Sequence, residues 1–289
     1  MHSFDANIYI QKFNELLTLR DLTANTVTSY NSMLRSYLRW VDTRLAKPPE
    51  AVSFEEIRKY IIFLKKERCL GNRSINAHIS QLAFLYQYIL HLPWNKYEVP
   101  FMKFYTKLPV VLSPQQAQDL INSISDLRHK AWAALLYSAG LRISEVRHLK
   151  CADIQRENMR IYIRPSKSRS DRYAILSLKT LRILEQYWRT FRPSSDWLFP
   201  GRIAGNPISK QPMESFLAPY TKHLGWDFST TAHTLRHSFG THLYEQGYDL
   251  LTIQKLLGHK STNSSLIYVH LSTRTMSKIT SPFDCEVIT

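Results

Sequence analysis

Between Pro93 and Leu112 the chain carries three prolines, several aromatics, Lys103 and Lys107, and no helical period. Proline locks φ and removes a backbone donor, so no regular helix runs through such a stretch. On both sides of it apolar residues recur at helical spacing. The segment therefore divides the chain. Residues 1–92 read as one helical domain, 93–112 as an interdomain linker, and 113–289 as a second domain with a C-terminal tail from residue 272.

The first domain reads as four helices. Residues 5–17 supply the first, and Val27, Tyr30, Leu34, Leu38 and Val41 mark the second behind Thr23 and Asn25. Ser53 followed by Glu56 is a capping box opening a helix through Leu64, and Ile75, Ile79, Leu82, Tyr86 and Ile89 form the fourth stripe. In the second domain Ser113, Pro114 and Gln116 agree on a helix start. Helices are expected through Leu120 and over 131–138, with Gly140 as the C-terminal cap. Two β-rich runs, 159–164 and 173–177, flank the polar PSKSRSDR and read as a hairpin with a charged tip. Further helices are expected over 178–191, 209–224, 232–246, 250–257 and 264–271. The fold class is mainly α, with a small antiparallel sheet in the second domain.

A hydrophobic fraction of 44% with only eight glycines fits a globular, mostly helical protein. Lys and Arg outnumber Asp and Glu by 38 to 23, for a net charge of +15. The first hundred residues hold 13 basic against 9 acidic residues and the remainder 25 against 14, so the second part is the more basic. Such a balance implies a polyanionic partner, nucleic acid or an anionic membrane. No run of about 18 apolar residues occurs and the opening lacks a basic n-region, so a soluble, cytoplasmic protein is expected. Cys69, Cys151 and Cys285 show no zinc-site spacing and are expected to be reduced structural thiols.

Several residues admit two readings in isolation. Arg142, in YSAGLRISEVRHL, is either a surface arginine paired with Glu145 or a clamp whose planar fork matches two phosphate oxygens. His233 and Arg236 share a helix face near its start, where free N–H groups favour an anion, or they are a core histidine beside a surface arginine. His233 and His237 are spaced i, i+4 but enclose Thr-Leu-Arg with no Glu, so the zinc-protease pattern fails. LLGHKST, at 256–262, lacks the spacing of a phosphate-binding loop, so ATP binding is not supported. His259 instead sits at a tight turn, nine residues before Tyr268.

In order, AGLRISEV, a lysine on a charged hairpin, HTLRHSFGTHL, LLGH and a tyrosine nine residues on resemble the catalytic domain of the tyrosine recombinases, the phage integrase and Xer-type family. The likeness covers about 113–271, and residues 5–91 resemble that family's helical, SAM-like core-binding domain. The resemblance implies a site-specific recombinase that cuts and rejoins DNA through a 3′-phosphotyrosine intermediate. Tyr268 would be the nucleophile, Arg142 and Arg236 would hold the non-bridging oxygens, and His233 would exchange the phenolic proton. His259 would hydrogen-bond a phosphate oxygen and Lys167 would protonate the leaving 5′ oxygen. Glu145 would orient the site and His237 would be structural. Two departures stand out: the hairpin lysine is flanked by Ser166 and Ser168 where glycines are common, with Arg169 two residues on, and Gly240 stands where a small alanine is usual. That glycine loosens its helix by up to ~1 kcal/mol and is expected to leave the chemistry untouched.

The residue types suit this chemistry. Tyrosine, with a pKa of about 10, needs a base and positive surroundings to attack at neutral pH. Cationic side chains can do the work of a metal, and no cofactor or metal is implied. Double-stranded DNA is the expected partner, with salt-dependent binding. Candidate contacts are Arg164 and Arg169 in the hairpin and Arg58, Lys59, Lys65, Lys66, Arg68 and Arg73 in the first domain, where a merely solvated helix face is the alternative. The family likeness further implies homodimers on each site and a homotetramer in the synapse, with the tail docking on a neighbouring protomer. A catalytically silent DNA-binding protein and a nicking-closing topoisomerase are the alternatives. At this length an additional arm-binding domain is not expected.

Overall fold

The computed structural model describes residues 4–105, 108–165, 171–193, 195–259, 261 and 264–271. The chain forms two compact units, Met1–Lys107 and Leu108–Thr289.

The first unit is built from α1 (Ala6–Leu19), α2 (Ala24–Leu45), α3 (Phe54–Lys66) and α4 (Asn72–Tyr88). Their starts follow local chemistry. Asp5 and Thr23 accept from the N–H groups of Asn7 and Thr26, and Ser53 and Glu56 form the reciprocal capping box. The apolar stripes meet in a core containing Phe13, Leu34, Tyr37, Ile57, Tyr60, Ile75 and Leu82. Residues 93–105 form no helix, yet they pack on this unit. Val99 is buried, Trp94 meets Phe54 and Tyr86 edge-on, and Met102 N–H donates to Asn76 Oδ1 at 2.8 Å while Asn76 Nδ2 donates to Met102 O at 2.9 Å. Prolines exclude helix from this stretch without excluding packing.

The second unit runs α5 (Pro114–Ser123), α6 (Leu127–Ser138), α7 (Ile143–Arg147), β1 (Ile154–Gln155), β2 (Arg160–Ile163), β3 (Arg172–Ile175), α8 (Leu178–Phe191), α9 (Lys210–Ser215), α10 (Ala218–His223), α11 (Ala232–Glu245), α12 (Leu250–Leu257) and α13 (Ile267–Leu271). The sheet is antiparallel in the order β1-β2-β3, pairing Ile161 with Ala174 and Tyr162 with Tyr173. The expected hairpin is thus joined by a two-residue edge strand too short to show a period. Beyond its polar first turn, α6 is buried on every side from Ala131 to Leu136 and packs against both α8 and α11. The single helix expected over 209–224 is two. Pro219 falls in the first turn of α10, where its missing N–H is harmless, and a continuous helix would need that donor for Ser215. Among the described residues no helix is long and apolar enough to cross a membrane.

Candidate active site

The site grows from the turn after α6. Gly140 has φ +59°, and a Cβ there would run into the Phe239 ring and come 2.6 Å from Leu257 Cδ2, so this turn requires glycine. It delivers Arg142 to the N-cap of α7. The Arg142 N–H donates to Glu145 Oε2 at 2.8 Å, and its Nη1 donates to Oε1 at 2.7 Å.

Glu145 is the hub of three guanidiniums. Arg172, from β3, donates to both of its oxygens at 2.8 and 3.0 Å, and Arg236 Nη1 lies 3.7 Å from Oε2. The same three arginines cap the C-terminus of α12, whose last carbonyls have no helical partner. Arg172 Nε donates to Leu256 O at 2.9 Å, Arg236 Nη2 to Leu257 O at 2.6 Å, and Arg142 Nη2 to Gly258 O at 2.8 Å. Arg236 Nη1 also donates to Gly140 O. Burial would raise the Glu145 carboxyl, but the hydrogen bond and charge of Arg172, with Arg142, bring it down to about 2. Burial and the charge of Arg142 lower Arg236 to about 9, which leaves it charged at neutral pH.

The histidines and the tyrosine line the adjoining side. Thr231 caps α11, His233 is exposed in its first turn, and His237 follows one turn on with ring centroids 6.3 Å apart. The Tyr268 ring lies 6.1 Å from the rings of both His237 and His259, stacked on the latter. His259 Nδ1 is hydrogen-bonded to Ser265 Oγ at 2.9 Å. Desolvation, with the charges of Arg236 and Arg142, lowers His259 to about 3, and desolvation, with His233 and Arg236, lowers His237 to about 4. His233 is held below its usual value by desolvation and by Arg236, Arg142 and Lys210. All three imidazoles are therefore neutral at pH 7. Tyr268 is fully buried, and its hydroxyl has no hydrogen-bond partner in the described structure. Burial raises its phenol to about 12, against the opposing pull of Arg236 and Arg142.

Gly240 lies directly against the Tyr268 ring, a contact that nothing in the neighbouring sequence shows. A Cβ at position 240 would lie 2.5 Å from Tyr268 Cζ and 2.6 Å from Cε1, so the glycine is the floor on which the ring rests. Gly240→Ala is expected to destabilise the protein by about 1–3 kcal/mol through overpacking, outweighing the ~1 kcal/mol that alanine gains in a helix. Thermal denaturation measures this, and a raised melting temperature would show that the ring moves aside freely.

The structure brings Arg142, Glu145, Arg236, His237, His259 and Tyr268 together, with His233 one turn before His237. Lys167 and Arg169, like the tail from 272, lie outside the described residues. Arg164 is engaged by buried Asp153, with Nη2 to Oδ1 at 2.7 Å. Lys65, Lys66, Arg68 and Arg73 are exposed around the α3–α4 turn; Lys65 donates to Asn72 and Arg73 covers the Phe104 ring. Arg58 and Lys59 pair with Glu98 and Glu55. His242 is a core histidine, bonded to the Tyr137 hydroxyl and Leu112 O. Arg172 was missed by sequence reasoning. Among several basic residues in the hairpin nothing local distinguishes it, because its partner Glu145 is 27 residues away. A cleft of about 820 Å³ opens beside the cluster, lined by Glu145, Arg164, Arg172, Lys255 and His259 among others. Among the described residues three guanidiniums converge on the Glu145 carboxylate beside neutral imidazoles, an electropositive setting suited to an anion that gains charge in a transition state.

The phage integrase family model matches residues 110–274, and the N-terminal SAM-like domain model of phage integrases matches 9–96. The provisionally named integrase/recombinase y4qK of Sinorhizobium fredii is 37% identical over 275 residues, covering 95% of this chain and 88% of the relative. Tyrosine recombinase XerD of Listeria innocua is 30% identical over 276 residues, covering 89% and 91%. In fold, the chain resembles the Tn1549 transposon integrase solved in complex with transposon right end DNA, with a TM-score of 0.73, 18% identity, and coverage of 90% and 94%.

Proposed function

Because the chain belongs to the phage integrase family and is a site-specific tyrosine recombinase, we propose that Tyr268 attacks a DNA phosphodiester and carries the covalent intermediate. The Tyr268 oxygen bonds to phosphorus, the bond to the 5′ oxygen breaks, and a 3′-phosphotyrosine and a 5′-hydroxyl result. The observation that carries this reading is the convergence of Arg142, Arg172 and Arg236 on Glu145 beside a buried tyrosine. Arg142 and Arg236 hold the non-bridging oxygens, and their donors are already aligned by Glu145 and the α12 carbonyls, so little reorganisation is needed as charge builds. A phenol held up to about 12 does not ionise before attack. Its proton leaves during bond formation, to the neutral His233. Held at Nδ1 by the Ser265 hydroxyl, His259 turns Nε2 to a phosphate oxygen as a hydrogen-bond donor. Lys167 returns a proton to the 5′ oxygen. The phosphotyrosine conserves the energy of the broken bond, so a second 5′-hydroxyl reseals the strand without ATP.

Double-stranded DNA is the partner in this reading, supported by the charge of +15 and by the DNA-bound integrase of the same fold. The exposed cations of the α3–α4 turn are DNA-backbone contacts in the same scheme. The protein works in the cytoplasm, as dimers on each site and a tetramer in the synapse, with residues 93–112 linking a core-binding domain to a catalytic domain from 113. The silent DNA-binding and topoisomerase alternatives are not favoured by the family matches.

The test is covalent trapping on nicked suicide duplexes tiled from the DNA flanking the gene, in EDTA and without ATP. A denaturation-resistant adduct whose modified peptide contains Tyr268 is expected. An adduct mapped to another residue, or one requiring a divalent metal, would overturn the assignment.

A further inference from the structure

We propose that Arg172 is a positioning residue for strand cleavage, fixing Glu145 and the C-terminal turn of α12 and through them the geometry of Arg142 and His259. The inference rests on the recombinase reading above. Arg172 is 13% exposed and every one of its guanidinium nitrogens has a protein partner: Nε donates to Leu256 O, and Nη1 and Nη2 donate to the two oxygens of Glu145. Its fork thus binds a carboxylate in the bidentate mode that a lysine cannot reproduce. Glu145 in turn orients Arg142 through both its side chain and its backbone N–H.

The α12 end is held just as closely. A Cβ on Gly258 would lie 3.0 Å from Arg172 Cδ, Nε and Nη1, so the guanidinium lies against the backbone from which His259 projects. Gly258 is in the left-handed conformation at φ +62°, the usual helix-ending geometry for glycine. One side chain therefore ties β3 both to the carboxylate that aligns Arg142 and to the turn that carries His259. A free loop would hold neither group to the tolerance that in-line attack demands.

The experiment uses the full chain and the suicide duplex on which the wild type forms its Tyr268 adduct, and measures duplex affinity and single-turnover adduct rate separately. Arg172→Ala and Arg172→Lys are each expected to keep near wild-type affinity while the rate at saturating protein falls about 100-fold, the scale of a small misplacement of reacting groups. Lysine should not rescue, since charge without the fork does not hold Glu145. Combining Arg172→Ala with Glu145→Gln should be no slower than the slower single variant, because both act through one contact. If Arg172→Ala unfolds, Arg172→Lys retains the stem and charge and gives the same readings. A wild-type rate, a loss confined to affinity, or strictly additive effects in the double variant would overturn the proposal. Failure of the wild type to form any adduct would instead overturn the recombinase assignment of the site, and this inference with it.

Discussion

Tyr268→Phe is expected to abolish adduct formation on the suicide duplex while leaving the protein as stable as the wild type, or slightly more stable. The two effects have separate physical causes. Removing the oxygen removes the only atom of this side chain that can bond to phosphorus, so the covalent product disappears. The stability effect follows from burial. The ring is fully buried between Gly240, His237 and His259, and its hydroxyl has no partner in the described structure. A hydrogen-bonded buried hydroxyl contributes about 1 kcal/mol, whereas an unsatisfied one carries a desolvation penalty of about 1–3 kcal/mol that phenylalanine avoids. Parallel gels and melting curves read both quantities. A marked drop in melting temperature would mean that the hydroxyl is hydrogen-bonded in solution, and a persisting adduct would move the nucleophile elsewhere.

Arg236→Ala is expected to lower the single-turnover cleavage rate by about 10³–10⁵-fold, the range in which an arginine supplied to a phosphoryl transition state acts. Its effect on stability is expected to be much smaller, within about 2 kcal/mol, because two contributions oppose one another. The substitution orphans Gly140 O and Leu257 O, each worth about 1–3 kcal/mol when buried without a donor. Against that, burial and Arg142 lower the guanidinium to about 9 in the folded protein. A cation whose folded pKa lies below its unfolded value opposes folding at every pH below about 9, so its removal relieves the native state. Arg236→Lys keeps the charge but reaches only one of the two carbonyls and one phosphate oxygen, and is expected to fall between wild type and alanine in rate. Denaturant melts beside the adduct assay check the pair. A destabilisation commensurate with the loss of rate would make Arg236 a structural arginine.

Much of the fold was legible because helix starts and stops are written in neighbouring residues. Ser53 with Glu56, Ser113 with Gln116, and Gly140 act within a few positions of themselves, and each appears in the structure where its chemistry required. The misreadings share a cause. Strand β1 is two residues long, too short for any period, and the 209–224 stripe continues across a break that Pro219 imposes on the backbone rather than on the side chains. Candidate site residues were legible through the order of their motifs. Glu145 and Arg142 were visible as a pair three apart, while Arg172 was one cation among many.

The sequence by itself determined where most helices begin, that two units form, which family the motifs resemble, and a strong positive charge. Those properties depend on backbone chemistry within a turn and on the sum of side-chain charges. Tertiary structure alone decided that three arginines share Glu145 and cap successive carbonyls of α12, and that the bare backbone of Gly240 seats the Tyr268 ring. Both depend on the distance between residues that are remote along the chain, which is set only when the helices pack.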